Sequence, residues 1–471
     1  MLDMIRKISF HFPTGDIHGK HMLMFVLFIP LLPLLAVSTL VDPELTIFFS
    51  IVLVIFMIIV ARPMWGLFAC IVMLPLENVK LLWNTPLRTD TVEMISMFPI
   101  PAFLTVVALI LSRKTNLKAL LPSLILFFAY ATFSLFYTQD IYHGLNEYLK
   151  LTGNLIMVLV FVSLITDKTK LKQVFTVIAI MSFFMFVLEV SSQYVNGTEK
   201  IKLMQDVYLQ FQLPYHSKRP SGFASPGVVG NFLGAYALIN IALLPMYGSK
   251  VKGLLLVNVF LLSVGVVLTA SKAALGTLIM GLFSLVFLAP RLRRHAIKWS
   301  AAIVAFLILL LPVVYLLQQD VVMAKRISSA VTAGSSYLKE RLTWWKIGFQ
   351  SLIDSYFVGD GIGGYVKLID PYPYAHSYYF SVIFDLGLIG FVIYMYILLR
   401  SLLVYVKSIL LSRDGDVQFA AYCLFTAFLM TLVYGLVDEE YTYRLVFFFI
   451  AIGLSIRNII MHAPATEHPS E

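Results

Sequence analysis

The chain has 471 residues, 59% of them hydrophobic and 13% charged, with a formal net charge of +9 and a mean hydropathy of +0.87. A soluble domain of this composition would expose apolar surface over most of its area, so soluble classes are excluded and a polytopic membrane protein is indicated. The apolar runs are continuous and roughly 15–24 residues long, which favours spanning helices over an outer-membrane barrel of alternating segments. Cys70 and Cys423 lie inside apolar runs and support neither a disulfide framework nor a cysteine metal site.

Residues 1–20 carry Arg6, Lys7 and Lys20 and have the look of a signal-peptide leader. The run at 21–41 is too long for one, contains Pro30 and Pro33, and is followed by many more spans, so it is read as an uncleaved first helix. Candidate spans follow near 45–61, 63–77, 96–112, 120–138, 150–166, 171–193, 224–246, 253–270, 272–289, 297–317, 377–400, 417–437 and 443–461. The expected architecture is all-α with about 14 (about 12–14) transmembrane helices. The range reflects the short joints inside 45–61/63–77 and 253–270/272–289, where tilted, re-entrant or half-buried helices are alternatives.

Lys and Arg set the orientation. Joints carrying Arg62, Arg113/Lys114/Lys118, Lys168/Lys170/Lys172, Lys250/Lys252, Arg291/Arg293/Arg294/Lys298 and Arg413 are assigned to the cytoplasm. Loops carrying Asp42/Glu44, Glu77, Asp90/Glu93, Asp140/Glu147 and Asp438/Glu439/Glu440 are assigned outside. The chain then divides into a cytoplasmic N-terminus (1–20), a transmembrane bundle (21–317) with an outer loop at 194–223, a large outer loop (318–376), C-terminal transmembrane helices (377–461) and a polar cytoplasmic tail (462–471). Loop 194–223 (Lys200, Lys202, Lys218, Arg219) and loop 318–376 (Lys325, Arg326, Lys339, Arg341, Lys346, Lys367) depart from the acidic pattern. Their cations suit an anionic ligand or an ordinary solvated loop.

Within the large loop, Ser336 is an N-cap candidate, and Leu338, Leu342, Trp345, Phe349 and Leu352 recur on one helical face. This predicts an amphipathic helix on the membrane surface, with Trp344 and Trp345 at headgroup level. Arg341, one turn away, has a planar fork suited to a phosphate; the alternative is an arginine that snorkels to lipid headgroups. The cluster Gly359-Asp360-Gly361-Ile362-Gly363-Gly364 lacks the preceding strand and following Gly-Lys-Ser/Thr of a nucleotide loop and reads as a tight turn. His376 ends a Pro-Tyr-rich approach, Asp370 to Ala375, at the start of the next apolar run. A lone histidine is structural or catalytic; at this position an imidazole can orient an acceptor hydroxyl or take its proton. Asp385 lies roughly 13 Å deeper along a continuous helix and on the side opposite His376, so a structural pairing is expected for it. Glu189 is an alternative carboxylate near the outer interface, and Lys272, in Thr269-Ala270-Ser271-Lys272, a third outer cation.

Taken in order, Arg219-Pro220-Ser221-Gly222-Phe223 with Pro226, Ser271-Lys272, Arg341 with Trp344/Trp345, the glycine turn, His376-Ser377 and Asp385-Leu386-Gly387-Leu388-Ile389-Gly390 resemble the O-antigen ligase and polysaccharide polymerase superfamily of bacterial membrane glycosyltransferases. The motifs cover about 220–390 of the chain. The resemblance implies a GT-C-like, metal-independent enzyme without a cofactor, sited in the bacterial inner membrane with both termini cytoplasmic and its active site facing the periplasm. Its donor would be a glycan on undecaprenyl diphosphate and its acceptor a glycan or lipid A-core; membrane lipids and a chain-length regulator are the other implied partners, and nucleic acid is not. On this resemblance Arg219, Arg341 and Lys272 bind the diphosphate, His376 acts on the acceptor hydroxyl, and Asp385 and Glu189 are supporting carboxylates. Lys272 stands where the family has Arg and loses the bidentate fork; His-Ser replaces His-Asn. A polymerase is favoured over a ligase by the number of expected spans, and a lipid-linked glycan transporter is the alternative of another class.

Overall fold

The computed structural model describes residues 57–75, 99–111, 122–195, 226–269, 271–288, 336–369, 375–437 and 441–462. Among these residues every regular element is helical. In chain order they are α1 (Pro63–Met73), α2 (Pro99–Leu111), α3 (Pro122–Ser134), α4 (Ile141–Leu164), α5 (Lys168–Val195), α6 (Pro226–Leu243), α7 (Ser249–Leu268), α8 (Lys272–Leu288), α9 (Ser336–Asp354), α10 (Tyr378–Leu411), α11 (Gly415–Tyr434) and α12 (Arg444–Met461). Seven of them, α4–α7 and α10–α12, are long and apolar enough to cross a membrane. The expected spans at 63–77, 96–112, 120–138 and 272–289 correspond to helices of 11 to 17 residues. These are roughly 16–26 Å long, short of an apolar core of about 30 Å. The expected spans at 21–41 and 297–317, and most of 45–61, lie outside the described residues.

Local chemistry sets the helix ends. Proline occupies the first position of α1, α2, α3 and α6, where a missing N–H leaves no bond unmade. Asp140 caps α4 by accepting the His143 N–H (3.0 Å), and Asp414 caps α11 by accepting those of Asp416 (2.8 Å) and Val417 (3.2 Å). The Asp140 cap starts α4 well before the expected span at 150. Glu147, expected in an outer loop, therefore stands on a helix and is buried.

α6 is the central helix, 89% buried, against α5, α7, α8 and α11. Its small residues allow close approach: a Cβ on Gly230 would lie 2.6 Å from the Ala274 side chain and 2.9 Å from the Thr269 hydroxyl. In its interior, Asn258 Nδ2 donates to Ala179 O (2.9 Å), Ser182 Oγ (3.1 Å) and Asn240 Oδ1 (3.0 Å), joining α7, α5 and α6 by polar bonds that apolar surroundings make specific.

The contacts sort the joints into two ends. At one, Lys168 pairs with Asp414 (2.7 Å) and Asp416 (2.8 Å), and Lys172 donates to Met246 O (2.7 Å) and lies over the Tyr247 ring. These are joints the charge pattern assigns to the cytoplasm. At the other end, residues 134–139 bond residues 360–362, Arg341 bonds Val437, Asn231 bonds Tyr443 and Gly230 lies against Ala274 at the start of α8, and these are joints it assigns outside.

Candidate active site

The helical ladder of α10 is interrupted at Gly387 (φ 64°, ψ −169°). In an unbroken helix the Leu388 N–H would reach Phe384 O. Here it donates to Phe357 O (3.0 Å), while Phe384 O and Asp385 O accept the N–H groups of Asp360 and Gly361 (2.9 Å each). The glycine turn thus takes over the polar groups that the break releases. Glycine is required on both sides of this junction: Gly359 has φ 85°, and a Cβ there would lie 2.5 Å from Gly387 N.

Asp385 completes the clasp. Its buried carboxylate accepts N–H bonds from Gly363 (3.1 Å) and Tyr365 (3.0 Å). On the other flank, Ile362 N–H donates to Ser134 Oγ (3.2 Å), Thr138 Oγ1 donates to Ile362 O (2.9 Å), and Gln139 N–H donates to Asp360 O (3.1 Å). The turn's amides at 360 to 363 and 365 all have protein acceptors, so this loop joins α3, α9 and α10 and does not cradle a phosphate. Asp360 itself accepts from Ser351 Oγ (2.7 Å) and Gln139 Nε2 (3.1 Å) through Oδ1; its Oδ2 is buried with no hydrogen-bond partner among the described residues. Burial raises its pKa above the usual carboxylate range, with the Ser351 bond opposing. Burial first, then the nearby Asp385 and Asp360, push the Tyr365 phenol up, which keeps it a donor to Trp344 O (2.6 Å).

α9 lies along the first turns of α10 through a small aromatic core. Trp345 packs on Phe380 (centroids 4.5 Å apart), Phe349 on Phe384 (5.2 Å), and Tyr365 on Phe384 (4.8 Å). Trp344, expected at headgroup level, is only 6% exposed and belongs to this core, and Trp345 is half-buried. The predicted amphipathic face is shared: Trp345 and Phe349 pack on Phe380 and Phe384 at the broken start of α10, while Leu342 and part of Phe349 stay exposed.

His376 sits on this core and not on a helix. It has a left-handed backbone (φ 53°), Ser377 is extended, and α10 begins at Tyr378. A non-glycine residue in this region carries strain of about 1–3 kcal/mol, held here by its surroundings. Trp345 Nε1 donates to Ala375 O (2.9 Å), and Tyr378 N–H donates to Gly435 O (2.8 Å), fixing the chain on both sides. The imidazole stacks on Trp344, centroids 5.4 Å apart and planes 22° from parallel. Arg341, one turn before Trp344, donates from Nη1 to Val437 O. His376 thus stacks on an indole that lies one helical turn from Arg341 on α9. The helical-wheel placement of Asp385 opposite His376 has no physical basis here, because His376 precedes the helix; Asp385 faces the glycine turn.

From Tyr441 the chain is held against α4 and α6. Thr442 Oγ1 donates to Glu147 (2.6 Å), Asn154 Nδ2 to Thr442 O (2.6 Å), and Asn231 Nδ2 to the Tyr443 hydroxyl (3.2 Å). Glu147 also pairs with Lys150 (2.5 Å), and Arg444 is buried at the first position of α12. Sequence reading missed this group. The signal was available in the spacing of Glu147, Lys150 and Asn154, which is one helical face.

Of the remaining predicted site residues, Lys272 is exposed at the first position of α8, at the same end of the bundle, where α6 approaches through Gly230, Thr269 and Ala274. Glu189 lies on α5 with its side chain outside the described residues, and Arg219 is outside them altogether.

Residues 257–395 match the family model described as O-Antigen ligase. The chain thus carries a segment similar to the O-antigen ligase domain. The matched segment of this domain contains Lys272, Arg341, Trp344, the glycine turn, His376 and Asp385, and it ends within α10 just beyond the break at Gly387. Arg219 and Glu189 precede it. A comparison with curated proteins finds no match. The similarity to the O-antigen ligase family over this segment, with seven helices long and apolar enough to cross a membrane, supports a multi-pass membrane protein that carries an O-antigen ligase-like region.

Proposed function

We propose that the protein transfers a glycan from a polyprenyl-diphosphate carrier to a sugar hydroxyl at the outer face of the bacterial inner membrane, extending a surface polysaccharide as a polymerase. The observation that carries this reading is the stack of His376 on Trp344, one helical turn from Arg341, inside the matched segment and at the end of the bundle whose joints the charge pattern assigns outside.

The chemistry follows from charge. The acceptor hydroxyl oxygen forms a bond to the anomeric carbon as the bond from that carbon to the diphosphate oxygen breaks. The electron pair leaves on the diphosphate, and the hydroxyl proton passes to a base. A fixed guanidinium stabilises the growing negative charge, and its donors are already oriented, so little reorganisation accompanies the step. Arg341 takes this role, with Arg219 and Lys272 as further cations. His376, held by its stack and by the Ala375 and Tyr378 bonds, orients the hydroxyl or accepts its proton.

Ligase and polymerase share this donor chemistry and differ in acceptor. In a strain lacking its own copy, a polymerase restores lipid-linked glycans longer than one repeat, whereas a ligase restores attachment to lipid A-core with repeat number unchanged. Restoration of neither, with the protein present in the membrane, would refute glycan transfer.

A further inference from the structure

We infer that two aromatic projections, Tyr356–Val358 after α9 and Phe133/Phe136 at the end of α3, are interfacial anchors that seat in the lipid headgroup layer and set the height of the site above the bilayer. Tyr356 is 88% and Phe136 86% exposed, and Phe357, Val358 and Phe133 are also exposed. A protein surface in water has no use for such a group of large apolar side chains, but the water–lipid boundary favours amphipathic and aromatic rings.

Two further observations place them at that boundary. The first is backbone conformation: Tyr356 (φ 52°) and Phe357 (φ 63°) are consecutive non-glycine residues in the left-handed region. Phe357 N–H donates to Leu352 O (2.8 Å) and Val358 N–H to Ser355 O (3.1 Å), so the corner is built to point these rings outward. Strain of this kind persists where the surroundings hold it, and it marks a feature with a use.

The second is height along α10. The Leu388 N–H bond to Phe357 O pins the corner beside the break at Gly387. From Leu388 to Leu411, α10 runs roughly 36 Å, enough to cross an apolar core. The exposed stripe Leu388, Ile389, Val392, Tyr396, Leu399 and Leu403 begins at the same level. Before the break, α10 faces α9 and the aromatic core instead. The break therefore separates a lipid-facing segment from a protein-facing one, and the corner stands at the join. The end of α3 is at the same height, since Ser134 and Thr138 bond the glycine turn. The partner is the bilayer surface itself, continuous with the membrane-facing stripe, and the inference does not depend on the transfer reaction.

The test uses the protein in vesicles of phosphatidylethanolamine and phosphatidylglycerol. Cys70 and Cys423 are buried, so Tyr356→Cys and Phe136→Cys each give one accessible thiol for a nitroxide label. Gln350→Cys, on exposed α9, and Val392→Cys, on the α10 stripe, serve as water and lipid references. Labels at 356 and 136 should collide with dissolved oxygen relative to a water-soluble nickel chelate at ratios between the two references. The unaltered protein, photolabelled by a membrane-dissolved diazirine, should carry adducts in the tryptic segment from Ile347 to Lys367. Ratios equal to the Gln350 reference, or labelled α10 with that segment unlabelled, would overturn the inference.

Discussion

The imidazole of His376 lies against the indole of Trp344, centroids 5.4 Å apart, and the same indole is one helical turn from Arg341. Trp344 is therefore the piece that braces His376 one helical turn from Arg341. Trp344→Phe keeps a ring under His376 and should retain most transfer activity. Trp344→Ala opens a cavity in the small core, costs about 3–5 kcal/mol locally, and should lose transfer together with melting temperature.

Replacing Asp385 tests the clasp rather than the chemistry. Asp385→Ala leaves the buried N–H groups of Gly363 and Tyr365 without acceptors, at about 1–3 kcal/mol each. Asp385→Asn keeps one carbonyl acceptor and should lie between Ala and the parent. Thermal unfolding in detergent ranks the three; equal melting temperatures would show that the carboxylate does not hold the turn.

Gly387→Ala should be among the most damaging small changes in the chain. Its backbone is left-handed, and a Cβ would run into the carbonyl oxygens of Phe357 and Val358. The expected loss is at least about 1–3 kcal/mol, read as a lower melting temperature or reduced membrane level.

Asp360 gives a pH dependence with a definite sign. Its pKa is raised in the folded protein, so the stability it contributes is full below the unfolded value of about 4 and is lost as pH rises through the folded one. Asp360→Asn keeps an acceptor for Ser351 and removes the charge. The variant should match or exceed the parent in melting temperature at pH 7 and lose that advantage at pH 4. A parent that gains stability relative to the variant between pH 4 and 7 would show the carboxylate to be paired.

Seven of the expected spans were legible because membrane helices announce themselves in continuous apolar runs; α5, α7, α11 and α12 start within a few residues of their expected positions. What periodicity could not show was a partner distant in sequence. The break at Gly387 exists because residues 357–361 supply replacement hydrogen bonds, and no local signal in Leu386-Gly387-Leu388 announces that. For the same reason Trp344 turned inward, since the groups that bury it, His376 and the cluster of Tyr365, Ile369, Ala375 and Phe384, lie 20 or more residues further along the chain. Glu147 was placed in a loop because an acid near the end of an apolar run looks solvent-facing until Thr442 and Lys150 are known to meet it. For Arg341 and His376, the link through Trp344, one helical turn and one ring stack, was legible only through their order in the family motifs. Arg219 and the Glu189 side chain lie outside the described residues.

The most direct measurement is transfer in membranes carrying His376→Ala, Arg341→Ala or Arg341→Lys, each present at the parental level, with surface polysaccharide and lipid-linked donor followed together. His376→Ala should reduce transfer by about 10²–10⁴-fold and accumulate donor. Arg341→Ala should do the same, and Arg341→Lys should recover only part of the activity, since a lysine keeps the charge without the fork. Polysaccharide and donor at parental levels in His376→Ala would contradict the assignment of this end of the bundle as the active site.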